Sequence, residues 1–204
     1  MTQIGFFDKT GRVMVKLRLD EVRDFTDGMA LVTLRGRLGA MNHEWRVVIA
    51  PTFGAMMDFS EGVAPAAAEA RYGFVDKKGA WVIEPTFESV GRFSEGLAVF
   101  SREGRFGFLD HAGKEVIEPK FEEASAFSHG LAAAKSGGKS GYIDPKGNWA
   151  IEPRFLATRD FGEEGLAPVL LAAEKLAASG TSDAGEPQAV RSGSLEPGPG
   201  DRDR

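Results

Sequence analysis

The hydrophobic positions of this chain recur with a fixed period. In residues 73–106 Gly73 opens a short apolar run, Phe74-Val75, closed by Asp76. A second apolar pair, Val82-Ile83, ends in Glu84-Pro85; the aromatics Phe87 and Phe93 follow, and Ser94-Glu95-Gly96-Leu97-Ala98 leads into a third run. Shifted by 34 residues the pattern meets itself, so that Gly73 falls on Gly5, Gly39, Gly107 and Gly141, and the period holds without a gap from Gly5 to Phe161. A fixed period of this size marks a repeat architecture. The copies are 5–38, 39–72, 73–106, 107–140 and 141–171.

Each copy predicts three short antiparallel strands in a meander. Asp76 with Gly79 suits a type I turn closing into a glycine bulge, repeated at Asp8/Gly11, Asp110/Gly113 and Asp144/Gly147; the carboxylate bonds turn amides and the glycine accepts a positive φ. The second strand is expected to end at Pro85, which has no N–H for a ladder. The third strand, about 97–101, turns at Arg102-Glu103-Gly104 into the next copy's first strand. The segment carrying the paired Phe residues crosses between units, and those rings (Phe53/Phe59, Phe87/Phe93, Phe121/Phe127, Phe155/Phe161) are expected to form the core between them.

Neighbouring strand residues such as Phe74 and Val75 are both apolar. Successive side chains face opposite ways, so both faces of every sheet should be covered. Sheets stacked face to face supply that, either as a propeller-like ring or as an open superhelical array. The chain starts on a first strand and ends on a third, a phasing that suits both. The copy at 5–38 is the most divergent, as expected of a terminal unit. In 39–72, Trp45 stands where the turn glycine belongs. A different turn is expected there, because a bulky residue tolerates φ > 0 poorly.

Composition narrows the class. Of 204 residues, 42% are hydrophobic and 27% charged, with a net charge of −5. This is a globular composition, without the basic excess that nucleic acid or an anionic membrane would call for. There is no cysteine, hence no disulfide framework and no thiolate site. No stretch reaches the roughly 18 apolar residues of a spanning helix and no signal region opens the chain, so a cytoplasmic location is expected. Residues 172–179 suit a short helix. From Gly180 to Arg204 the chain is Gly, Pro, Ser and charge, too poor in apolar side chains to offset ordering entropy, and reads as a disordered tail.

The pattern Gly-aromatic-Val/Ile-Asp, turn Gly, Val-Ile-Glu-Pro-x-Phe, Phe, Glu-Gly-Leu-Ala resembles the bacterial WG-repeat (KWG-repeat) family over about residues 5–169. The eponymous Trp before the opening Gly is absent: those positions hold Ile4, Leu38, Tyr72, Phe106 and Ser140. The resemblance implies a β-rich array that serves as an interaction module, and it brings no catalytic residues.

The residues themselves offer few candidate sites. Rows of carboxylates (Asp8, Asp76, Asp110, Asp144; Glu84, Glu118, Glu152) have turn and strand-end roles that compete with cation binding, so no metal and no cofactor is expected. His43 and His111 share an exposed turn column two copies apart, and no serine, histidine and acid are placed as a triad; an enzyme is not expected. Trp81 and Trp149 share a variable column with Val13, Val47 and Glu115. Exposed aromatics on a β array anchor protein partners or stack on sugars. The chain therefore reads as a non-catalytic protein-interaction module with Trp81 and Trp149 as candidate binding residues, or alternatively as a lectin-like glycan binder.

Overall fold

Six antiparallel sheets follow one another along the chain, in a computed structural model that describes residues 4–7, 10, 13–162 and 165–171. The first sheet pairs Ile4–Phe7 with Val13–Leu17. The second joins Glu21–Thr26, Met29–Leu34, Arg37–Asn42 and Val47–Phe53. The third joins Val63–Ala68, Arg71–Asp76 and Trp81–Phe87. Ser89–Val90, Leu97–Arg102, Arg105–Asp110 and Glu115–Phe121 make the fourth, and Glu123–Ala124, Ala132–Ser136, Lys139–Ile143 and Trp149–Phe155 the fifth. Ala157–Thr158 pairs with Val169–Leu170 in the sixth. Each internal sheet is thus the third strand of one copy and the first two strands of the next. A two-residue strand, which the pattern did not show, edges the fourth and the fifth. Among the described residues no pairing joins the last sheet to the first, so the sheets do not close. The compact unit runs to Ala172; Asp8, Gly11, the expected helix over 172–179 and the tail to Arg204 lie outside the described residues.

The core is divided into one cluster per junction. Met29, Leu31, Ala40, Ile49, Met56, Phe59, Ala64, Ala66 and Val75 pack between the second and third sheets. Phe74, Ile83, Phe87, Phe93, Phe100 and Leu109 pack between the third and fourth. Phe108, Ile117, Phe121, Phe127 and Ile143 pack between the fourth and fifth. Phe74 and Val75, adjacent in one strand, therefore enter different clusters, as do Phe108 and Leu109. This is why the strands read as continuous apolar runs: each face meets a neighbouring sheet. The paired Phe residues are buried at 59, 87, 93, 121, 127 and 155, and half-buried at 53 and 161.

The Asp turns form as the spacing predicts. Asp76 Oδ1 accepts the amides of Lys78 at 2.8 Å and Ala80 at 2.9 Å, and Gly79 there has φ +84°. Asp110 and Asp144 repeat the arrangement. The amide of Asn148, first among these donors, holds the Asp144 carboxyl below the ordinary aspartate range, because bonds to the charged form favour it. Glu84, Glu118 and Glu152 are exposed.

Two expectations are corrected. Trp45 takes φ +62° and keeps the same turn. Asn42 accepts the amides of Glu44 and Arg46, both at 3.1 Å, and the Trp45 ring stands edge-on to Phe25 at 5.6 Å. Those bonds and contacts offset a left-handed backbone cost of about 1–2 kcal/mol. The second strand also does not end at Pro85. It runs Trp81–Phe87 through a register shift opposite Gly73: Tyr72 pairs with Phe87 and Phe74 with Ile83. Pro85 sits in the bulge, where no ladder N–H is required.

Polar ties join successive copies. The hydroxyls of Ser60, Ser94 and Ser128 donate to the carbonyls of Phe93 (2.7 Å), Phe127 (2.8 Å) and Phe161 (3.2 Å). Carboxylates of Asp27, Glu61 and Glu95 accept the amides of Gly62 (2.6 Å), Gly96 (3.1 Å) and Gly130 (2.9 Å) one copy on. Lys77, a further copy along, pairs with Asp27 at 3.0 Å, so the first three copies meet at one point. The Gly62 amide and the Lys77 ammonium hold the Asp27 carboxyl below its ordinary value of 3.8, against a smaller effect of burial. His111 repeats the Lys77 contact onto Glu61 at 2.9 Å and stacks on Phe93. His43 stacks on Phe25 in the same way.

Candidate functional site

The turn that joins the third strand of one copy to the first strand of the next has a repeated chemistry. Its two central residues take positive φ: Arg35-Gly36, Glu69-Ala70, Glu103-Gly104 and Gly137-Gly138. Such a turn leaves its amides pointing outward. In the copy at 73–106, Glu88 accepts them from Glu103 at 3.1 Å and Gly104 at 3.2 Å. Glu122 accepts the Gly138 amide at 3.0 Å, and Asp20 accepts that of Arg35. The same column thus supplies a carboxylate in three copies.

The copy at 39–72 breaks this rule. Gly54 occupies the carboxylate column, and among the described residues no carboxylate reaches the amides of Glu69 and Ala70. Neighbouring columns are depleted as well. One copy on, the Arg102 guanidinium lies over Phe87 (5.8 Å) and Phe100 (5.5 Å) and pairs with Glu115 at 2.7 Å, filling the junction. The matching residues in 39–72 and after it are Ala68 for Arg102, Phe53 for Phe87, Ala66 for Phe100 and Trp81 for Glu115. Removing that much side chain opens a cleft of about 670 Å³ between the second and third sheets, lined by Arg37, Phe53, Gly54, Glu69, Tyr72 and Trp81 among others. Phe53, Tyr72 and Trp81 remain half-buried along it, and Arg37 is exposed.

The two tryptophans singled out from the sequence occupy equivalent places with different surroundings. Trp81 stands edge-on to Phe53 at 5.9 Å, and Trp149 edge-on to Phe121 at 5.5 Å. Both rings pack against a junction cluster. Only Trp81 of the pair also lines the cleft. Around Trp149, Lys120 lies over Phe121 at 5.3 Å, and Lys135 pairs with Glu123 at 2.7 Å. Glu123 accordingly raises the Lys135 pKa. The structure brings the two tryptophans to separate junctions.

Ala70 adds strain to the cleft's rim. It holds φ +64° where the other turns place glycine, and Glu69 beside it holds φ +49°. A left-handed alanine costs about 1–2 kcal/mol, and strain of this kind gathers at ligand clamps. Sequence reasoning missed Gly54, Ala70 and Arg37 as site residues. The signal was a column that loses its carboxylate in one copy. Its meaning depends on a turn 15 residues away, which only the fold brings near.

Among the described residues no group of three or more His, Asp or Glu side chains gathers to hold a metal ion. No helix among them is long and apolar enough to cross a membrane.

A family model for WG-containing repeats matches residues 4–37, 39–67, 72–105, 106–139 and 141–171. The chain belongs to the WG-repeat family. Its five matched segments are the five copies read from the 34-residue period, and this WG-repeat chain builds its sheets across their boundaries. Among curated proteins no sequence matches it. Solved structures similar to it include Kluyveromyces lactis Hsv2p, at 12% identity and a TM-score of 0.46 over 70% of this chain and 56% of that one. KlHsv2 with its loop 6CD replaced by a Gly-Ser linker matches at 11% identity and a TM-score of 0.47 over 74% and 60%. The chain therefore spans less than two thirds of those proteins' length. Regucalcin, a calcium-binding protein from Agrobacterium tumefaciens, matches at 14% identity and a TM-score of 0.35 over 74% and 66%.

Proposed function

We propose that this WG-repeat array is a non-catalytic protein-interaction module whose contact site is the cleft centred on Trp81. One observation carries the reading. The 39–72 copy places Gly54 where the copies at 5–38, 73–106 and 107–140 place Asp20, Glu88 and Glu122, and an aromatic-walled cleft stands where the next copy packs Arg102 and Glu88. A half-buried Trp flanked by Phe and Tyr, with an Arg at the rim, has the composition of an interface anchor. The lining offers Arg37, Thr52, Glu69 and Tyr72 as polar side chains. Among the described residues none of these is paired as nucleophile and base, which supports binding rather than turnover. The ties between copies, from Asp27 to Gly62 and Lys77 and from Ser60 to Phe93, join the sheets that form the walls to their neighbours, so little ordering cost accompanies binding.

Carbohydrate recognition is the second reading, since the Trp81 ring also suits a sugar face. The two separate in a capture experiment from extracts of the native host. Wild type, Trp81→Ala and Trp149→Ala are compared with and without a mixture of free mono- and oligosaccharides. The expected result is a protein retained by wild type and Trp149→Ala, weakened about 30-fold or more by Trp81→Ala, and indifferent to sugars. Retention that ignores Trp81, or that sugars abolish, overturns the protein-binding reading. Melting curves of both variants establish that each remains folded.

A further inference from the structure

We propose that the cleft recognises a carboxylate, presented by an aspartate or glutamate on an extended segment of a partner protein, with an apolar side chain of that segment lying along Phe53 and Trp81. The proposal rests on the interaction reading above and names the chemistry that the site selects. The molecule contains its own controls. In three other copies the equivalent turn amides are held by a carboxylate from the copy itself: Asp20 on Arg35, Glu88 on Glu103 and Gly104, and Glu122 on Gly138. In the 39–72 copy the turn and its outward amides persist at Glu69 and Ala70, while the residue that would supply the carboxylate is Gly54. A partner's carboxylate entering the cleft restores the missing acceptor.

Two further features favour an anion there. A Cβ built on Gly54 would lie 3.4 Å from an Arg37 guanidinium nitrogen, so a positive charge already borders the space the side chain would take. Among the described residues Arg37 pairs with no carboxylate. Two backbone donors at the cleft's rim and a guanidinium beside the vacant Gly54 position line the same cleft and supply the elements of a charge-assisted site for a carboxylate. The space left where Ala68 stands in the column of Arg102 is bordered by the Phe53, Tyr72 and Trp81 rings, which accounts for the apolar neighbour on the ligand.

The test uses the full chain and two probes of one shape, phenylacetate and phenylacetamide, followed through the amide proton and nitrogen shifts of Glu69 and Ala70. Phenylacetate is expected to move both amide protons downfield, with at least about tenfold tighter apparent binding than phenylacetamide, as a charge-assisted bond requires. Equal responses to the two probes overturn the assignment. Gly54→Glu supplies the carboxylate in cis, as Glu88 does. Gly54 has no positive φ to strain, and the nearest atom to its added Cβ is the mobile end of Arg37. This variant is expected to show both amides already downfield, to raise Tm by about 3 °C, and to lose the response to phenylacetate. A Gly54→Glu protein that still responds like wild type also overturns the proposal. If Trp81-dependent capture of a protein stands while phenylacetate fails to discriminate, the interaction reading survives and the carboxylate falls. If capture also ignores Trp81, both fall together.

Discussion

Phe108→Ala is expected to lower unfolding stability by about 4 kcal/mol, a large part of the 5–15 kcal/mol that holds a typical domain folded. The Phe108 ring is fully buried, lies 4.8 Å from Phe127 and belongs to the cluster between the fourth and fifth sheets. Truncation removes the transfer free energy of the ring and leaves a void. The surrounding strands cannot collapse into that void, because Leu109 and Phe74 fix the opposite junction. Urea titration read by far-ultraviolet circular dichroism measures the loss. The internal comparison is Val82→Ala, at a side chain 52% exposed on the same architecture, which is expected to change stability by less than about 0.5 kcal/mol. Equal effects at the two positions would contradict the division of the core into junction clusters.

Gly107→Ala is expected to cost about 3 kcal/mol, for a different reason. The new Cβ would lie 2.5 Å from the Ile117 carbonyl oxygen and 2.8 Å from the Pro119 nitrogen. Both are backbone atoms within one sheet, so neither can swing aside as a side-chain tip would. The opening glycines at 39, 73, 107 and 141 are there because the Ile-x-Pro bulge of the second strand passes directly over each of them. Gly39, Gly73 and Gly141 meet the same obstacle at 2.3 Å. Gly104→Ala separates this steric effect from backbone conformation. Gly104 has φ +68° with nothing within 4 Å of the added Cβ, so only the left-handed penalty of about 1 kcal/mol applies. Thermal or urea unfolding of the two variants side by side checks the ranking. A Gly104→Ala loss as large as that of Gly107→Ala would mean that turn conformation, not the close approach, retains the opening glycine.

The repeat and its strands were legible because their causes are local. Asp76 and Gly79 act within one turn, and the apolar pairs Phe74-Val75 and Val82-Ile83 announce sheets covered on both faces. Pro85 misled, because its missing N–H ends a ladder in a regular strand but is harmless in a bulge. Trp45 misled because its steric cost is intrinsic, whereas the Asn42 bonds and the Phe25 contact that offset it come from the fold. The cleft was half legible. Trp81 stood out as a variable aromatic. Its difference from Trp149 lies in residues brought from the preceding copy: Gly54, Ala55 and Ala67 line the cleft, where the copy before Trp149 has Glu122, Glu123 and Lys135 at the matching positions. The polar ties also escaped the sequence. A glutamate before glycine at 61 or 95 looks like a turn residue, and its bond to the amide of the next copy's glycine appears only once the sheets are stacked.

The proposed place of contact with a partner is the junction around Trp81, between the second and third sheets. Photo-crosslinking from one repeat column tests it directly. A benzoylphenylalanine is placed in turn at Thr52, Thr86 and Lys120, all exposed at matching positions of successive copies, of which only Thr52 lines the cleft. Irradiation in native host extract is predicted to join a discrete protein to the chain substituted at Thr52, and not to the other two. Equal crosslinking from all three positions, or crosslinking from Thr86 or Lys120 alone, would contradict the account.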